Sequence, residues 1–173
     1  IPDNWAWGES YNVGMNDLVE VTKEALKNGY TVAWGADVSE KGFSFRNGIA
    51  IVPADPKSVE VAGKDDKKYN SAGAERKSNA FTEPTTELKI TPELRQEAYD
   101  NKTTTDDHGM HIIGFAKDQN GTKYYYVKNS WADNSNKYKG YFYASVPFMK
   151  YKTMSIMVHK DVIPKKIKKK LGL

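Results

Sequence analysis

The chain has 173 residues, 39% hydrophobic and 28% charged, with a formal net charge of +4 and no cysteine. One ordinary domain with a buried core fits that length, and the composition lies well outside the disordered class. Disulfides and cysteine-ligated zinc are excluded, and no apolar run reaches the ~20 residues of a spanning helix. Charge is uneven: residues 160–170 hold six lysines and one aspartate, so the rest of the chain sits near neutrality. A basic tail on a near-neutral body supports nucleic-acid binding less than a basic face does. Because the first residue is isoleucine, the translational start is expected upstream.

Met15, Leu18, Val21, Ala25 and Leu26 recur at helical spacing and predict an amphipathic helix from Met15 to Lys27, stopped by Asn28-Gly29. Strand formers then fill Tyr30 to Val38, and a short strand is expected over Ile49 to Val52. Residues 53–92 hold Asp-Pro and Glu-Pro pairs, a lysine-aspartate run and no sustained period. They read as a surface insertion with a helical turn or two near Ala74 to Asn79, of a length that is usually functional or mobile. Thr91 as N-cap and Pro92 at the first helical position open a short helix to about Asp100.

The last third is strand-dense. His108 to Lys117 and Lys123 to Asn129 flank Asp118-Gln119-Asn120-Gly121, a hairpin signal. Gly140 to Ser145 and the alternating Thr153 to His159 add two further strands. The fold class is therefore α+β, an antiparallel, curled or barrel-like sheet with a packing helix. Residues from about 160 to 173 form the basic tail.

Two clusters carry chemistry. Asp106-Asp107-His108-Gly109-Met110-His111 places a histidine at the mouth of a buried strand, with one ring nitrogen available to a cleft and the other to the interior. A histidine satisfied at a strand edge remains the plain alternative. A metal site is disfavoured, because His108 and His111 lie an odd number apart and a strand sends them to opposite faces. In Tyr126-Val127-Lys128-Asn129-Ser130-Trp131, Asn129 sits where strands are poor in asparagine. Either the strand ends there in a turn, or the amide orients an imidazole without adding a competing charge, with Trp131 keeping water away.

Together these segments resemble the C-terminal signature of papain-like cysteine peptidases: His108-Gly109-Met110, a hairpin, Lys128-Asn129-Ser130-Trp131 and Gly140-Tyr141-Phe142. The helix followed by Tyr30-Thr31-Val32-Ala33-Trp34-Gly35-Ala36-Asp37-Val38 is similar to the strand leading the β-rich half of that fold. Within the superfamily the resemblance is to the bleomycin hydrolase and aminopeptidase C branch, over residues 11 to 164, with 53–92 only loosely comparable.

The resemblance implies that residues 1–173 are the C-terminal, β-rich half of a papain-like peptidase. It makes His108 the general base and Asn129 its orienting partner. Trp131 becomes the shield of their hydrogen bond, and Asp107 a neighbour of bound substrate at the cleft edge. No cofactor and no metal are implied. The nucleophilic cysteine and the oxyanion glutamine belong to the family's N-terminal half, which is expected as the partner of this chain, from the same gene product. Peptides are the implied substrates, an aminopeptidase the implied activity, and a homo-oligomer the implied assembly. Neither a nucleic acid nor a membrane is expected as partner. Similar bacterial sequences carry export signals, so the periplasm is favoured over the cytoplasm on resemblance alone.

Two departures stand out. Ala132 replaces the usual glycine after the tryptophan, and the tail is shorter than the arm that enters the cleft in aminopeptidase C relatives. The basic tail reads first as a solvated helix end, with phosphate contact or placement of the terminal carboxylate near the cleft as alternatives. The competing function is a papain-like binding domain without catalysis. The isolated chain, lacking a thiol, is expected to be inactive towards peptides.

Overall fold

The computed structural model describes residues 8–62 and 75–173. Helix α1 spans Met15–Lys27 and buries Leu18, Val21, Thr22 and Ala25. Gly29, at φ 78°, turns the chain, and the Tyr30 amide closes on the Ala25 carbonyl at 3.0 Å. That bond removes Tyr30 from the strand. The Asp37 amide likewise donates to the Lys152 carbonyl at 3.0 Å, so β1 is confined to Val32–Ala36, shorter than the run of strand formers.

The short strands β2 (Phe43–Ser44) and β3 (Ile49–Ala50) follow. β3 ends earlier than expected because the Ile51 and Val52 amides find partners outside the ladder, in the Gly42 carbonyl and the Glu87 carboxylate. β4 (Glu60–Ala62) and β5 (Glu75–Lys77) pair as a separate two-stranded sheet. Helix α2 covers Pro92–Asp100, and the Thr91 hydroxyl accepts from the Leu94 amide as an N-cap. The hairpin is β6 (His108–Lys117) and β7 (Lys123–Asn129), followed by β8 (Tyr141–Ser145).

Helix α3, Val146–Lys152, lies where the sequence reading had only a connection between strands. Its signal is local: the Ser145 hydroxyl accepts from the Phe148 amide, and Pro147 lies in the first turn. Arg95 of α2 donates to the Lys150 and Tyr151 carbonyls at 2.9 and 3.2 Å and to the Thr153 carbonyl, satisfying groups that the end of α3 leaves open. β9 runs Thr153–Met157, and a closing helix α4, Lys165–Leu171, carries the basic tail and buries Ile167. Among the described residues no helix is long and apolar enough to cross a membrane.

Seven strands form one sheet in the order β2-β3-β8-β7-β6-β1-β9. Its pairs are antiparallel except β3 with β8, which are parallel and far apart in sequence. The sheet stays open: β2 and β9 are its edges, and the two-residue β2 is too short to carry the curvature on to closure. The barrel-like element of the expectation gives way to an open sheet, while the α+β class holds.

Trp34, Phe43, Ile112, Val127, Phe142, Phe148 and Met149 form the main core between this sheet, α1 and α3. The Trp34 indole donates to Thr153 Oγ1 at 2.8 Å, so even its polar atom is satisfied inside. Residues 53–92 are less superficial than their composition suggests. Val59, Ala80 and Phe81 join Ile51 in a second buried cluster. The helical turn expected near Ala74 to Asn79 is replaced by β5 and a 3-10 turn at Asn79–Phe81, with Ala74 itself outside the described residues. Burial of Phe81 shifts the turn towards the core.

Candidate active site

His108 opens β6 and pairs with Ala36 of β1. Asn129 closes β7 opposite Met110, so His108 and Asn129 lie diagonally on one face of the hairpin. Their side chains meet: His108 Nε2 is 2.6 Å from Asn129 Oδ1. Asn129 is 2% exposed, and its Oδ1 also accepts from the Ser130 amide at 2.7 Å. That second bond decides which end of the amide faces the ring. An oxygen facing Nε2 makes Nε2 the donor, which places the imidazole proton there and leaves the Nδ1 lone pair for a reacting partner. Ser130 Oγ stands 3.4 Å from the same Nε2, on the side already committed to Asn129.

The arrangement has an internal cost. Asn129 Nδ2 is buried and finds no hydrogen-bond partner among the described residues. An orphaned donor of this kind costs about 1–3 kcal/mol. The amide is thus placed for what its oxygen does, at the expense of its nitrogen.

Trp131 covers the pair. Its ring lies 4.9 Å from the His108 ring at a 42° tilt, and its edges are held by Phe45 at 4.8 Å and Phe43 at 6.1 Å, both near perpendicular. A half-buried indole over the Nε2–Oδ1 bond excludes water that would compete for either atom.

Asp107, exposed beside His108, accepts from the Val38 amide at 3.0 Å. Partial desolvation, with the neighbouring Asp37 carboxylate adding to it, pushes its carboxyl up to about 6, against the opposing pull of that backbone bond and of His108. Asp37 escaped the sequence reading as a site residue. It is 1% exposed and accepts from Ser39 N, Ser39 Oγ and Thr105 N at 2.7, 2.5 and 2.8 Å. A carboxylate at the end of a buried strand-forming run was its only signal in the sequence. Lys152, 2% exposed, was missed as well: it forms an ion pair with Glu40 and donates to Thr104 Oγ1 and the Thr103 carbonyl at 2.7 and 3.2 Å. It therefore ties the loop that delivers Asp107 and His108 to the end of α3. His111 lies on the other face of β6, against Thr31 Oγ1 at 2.7 Å, and shares no ligand set with His108.

An imidazole with Nε2–H anchored on an amide oxygen and Nδ1 open is suited to take a proton from an acid at Nδ1 and return it to a leaving group. No thiol is present to supply that proton, since the chain has no cysteine.

The model of the Peptidase C1-like family matches residues 80–172, more than half of the chain and including both His108 and Asn129. The crystal structure of PepW from Lactobacillus rhamnosis HN001 matches with a TM-score of 0.58 at 21% identity, over 91% of this chain and 29% of that one. The chain thus shares its fold with a part of PepW and spans less than a third of its length. A second match is the Amb a 11 cysteine protease, a ragweed pollen allergen in its proform, with a TM-score of 0.37 at 17% identity over 83% of this chain and 30% of that one. No curated protein matches the sequence.

Proposed function

The chain belongs to the Peptidase C1-like family, and on that premise we propose that it supplies the base of a Cys-His-Asn peptidase site. The cysteine comes from the N-terminal part of the same gene product, and peptides are the substrate, cleaved from a free N-terminus. The observation that carries the reading is the Nε2–Oδ1 hydrogen bond between His108 and Asn129, which fixes the tautomer a thiol partner needs.

In this reading the thiol proton passes to His108 Nδ1, giving a thiolate and an imidazolium. The thiolate attacks the peptide carbonyl, and a sulfur–carbon bond forms as the carbon–nitrogen bond breaks. The departing amine takes the proton from Nδ1, and neutral His108 then activates water to hydrolyse the thioester and regenerate the thiol. Asn129 holds the ring through both transfers, and Trp131 keeps its bond dry. Asp107 lines the cleft edge beside the ring.

A thiol-directed epoxide applied to the intact gene product tests the assignment. Covalent labelling of one upstream cysteine, abolished by His108→Ala, is the expected result. An unlabelled protein that binds peptides without cleaving them would establish instead the non-catalytic binding domain.

A further inference from the structure

The loop from Ser130 to Gly140 carries Trp131 over His108, and one side chain in it uses its whole hydrogen-bonding capacity. Asn136 Nδ2 donates to the Phe45 carbonyl at 3.0 Å and to the Tyr141 carbonyl at 2.9 Å. Asn136 Oδ1 accepts from the Tyr138 and Gly140 amides at 3.0 and 2.9 Å. A half-exposed asparagine with four backbone bonds is a fastener, because it ties the stretch from Tyr138 to Tyr141 to the backbone of Phe45. The loop needs one: Lys139 and Gly140 follow each other at φ 55° and 82°, a left-handed return that persists only when its surroundings over-determine it. Lys128 adds a second hold through its ion pair with Asp133 and a bond to the Lys139 carbonyl at 3.3 Å.

The destination of one bond matters most. Phe45 is buried, and its carbonyl, shared by Asn136 and the Gly48 amide, sets where its ring sits. That ring stands edge-on to Trp131 at 4.8 Å, and Trp131 lies 4.9 Å from His108. A contiguous path of packed groups therefore runs from Asn136 through Phe45 and Trp131 to the imidazole. We propose that Asn136 is a positioning residue for His108, acting through Phe45 and Trp131 and touching neither substrate nor base. This deepens the proposed function and rests on it, since a positioning role has meaning only if His108 is the base. A 1 Å displacement of the indole admits water to the Nε2–Oδ1 bond, and small displacements of this kind lower turnover far more than binding.

The test uses the intact, thiol-active gene product, assayed well below each variant's melting temperature. Asn136→Ala is expected to lower kcat about 10-fold with KM changed less than about 2-fold. Asn136→Asp keeps the two acceptor contacts of the turn but loses both donors, so it should behave as the alanine variant does. Phe45→Leu, which leaves the Asn136 bonds in place and removes the ring edge, should show the same split between kcat and KM. Phe45→Tyr restores the ring and should restore kcat. A fastener with no bearing on the base predicts lower melting temperatures and wild-type kcat in all four, and that pattern would overturn the proposal. His108→Ala separates the two levels: if it keeps activity, the proposed function fails; if it abolishes activity while Asn136 and Phe45 variants keep kcat, only the positioning role fails.

Discussion

His108 and Asn129 are 21 residues apart in sequence, and an antiparallel ladder with one register shift, between Ile112 and Gly114, brings them together. Residues 53–92 solve their placement in another way. Among the described residues their one ladder, β4 with β5, is detached from the main sheet. They join the rest of the fold through the small apolar cluster of Val59, Ala80 and Phe81 on Ile51, an isolated bridge of Pro53 with Glu87, and the Glu87 carboxylate, which accepts from Val52 N at 2.7 Å and Ser145 Oγ at 2.6 Å. Backbone pairing on both sides of that shift fixes the first region, so its side chains are free to be chosen for chemistry. In the second a half-buried acid and a small apolar cluster do the fixing, and the loss of that acid affects stability rather than reaction. Substitutions in the two regions should therefore separate activity from stability.

The largest expected effect is on the hairpin side. His108→Ala in the intact gene product should lower kcat/KM by about 10⁴–10⁶-fold while its unfolding midpoint stays near wild type, because the ladder does not depend on the half-exposed ring. Steady-state kinetics paired with denaturant unfolding checks both halves of the statement. A loss of fold in proportion to the loss of rate would remove the distinction between the regions.

Asn129→Ala sharpens it. Rate should fall about 10–100-fold as the imidazole loses its orienting oxygen. Stability should fall by about 1–2 kcal/mol, because the Ser130 amide and His108 Nε2–H lose their acceptor, a loss partly offset by removal of the buried Nδ2 donor that has no partner. A destabilisation well above that, measured by urea titration together with a fall in rate no larger than the loss of folded protein, would mean that Asn129 serves the fold rather than the ring.

The hairpin was legible in the sequence because its determinants are local. Asn120-Gly121 dictates a turn and alternation the faces beside it, but Asn129 reaches the face of His108 only through a register shift between Ile112 and Gly114, without which it would pair with His111; no residue type in the sequence announces that shift. The insertion was not legible for the opposite reason. Phe81 lies in a polar stretch, and nothing nearby reports that it packs with Ile51 and Val59. Glu87 reads as a surface carboxylate until Val52 and Ser145 are seen to converge on it. Asp37, Lys152 and Asn136 were missed on the same ground, since their partners lie in other elements. The sequence reading also extended β1 to Tyr30 and Val38, because propensity is blind to amides already taken by a helix end or by α3.

On the insertion side, Glu87→Ala should destabilise by about 2 kcal/mol by leaving the Val52 amide and Ser145 hydroxyl without an acceptor, with activity per folded molecule unchanged. Glu87→Gln keeps an oxygen for those donors and should be much milder. Burial raises the Glu87 carboxyl above its ordinary value, outweighing the two bonds that pull it down. The folded state thus holds the proton more tightly than the unfolded chain, and stability falls as pH rises above the ordinary glutamate range. Melting temperatures of the wild type across that range should slope downward, and the glutamine variant should flatten the slope. An unchanged slope in Glu87→Gln would assign it elsewhere.

Asp107 gives the smallest effect, and it is the hairpin's own counterpart to Glu87. Its carboxyl sits at about 6 in the folded chain against an ordinary 3.8, so here too the folded state binds the proton more tightly. Stability contributed by the protonated form is present at low pH and is lost between those two values as pH rises. Solvent screening at this exposed side chain makes the change small. It is best read in the Glu87→Gln background, where the larger slope has been removed and the two distant sites should act additively. There Asp107→Asn should abolish the residual decline in melting temperature between pH 4 and 6. Survival of that decline would locate the titrating group at another carboxyl.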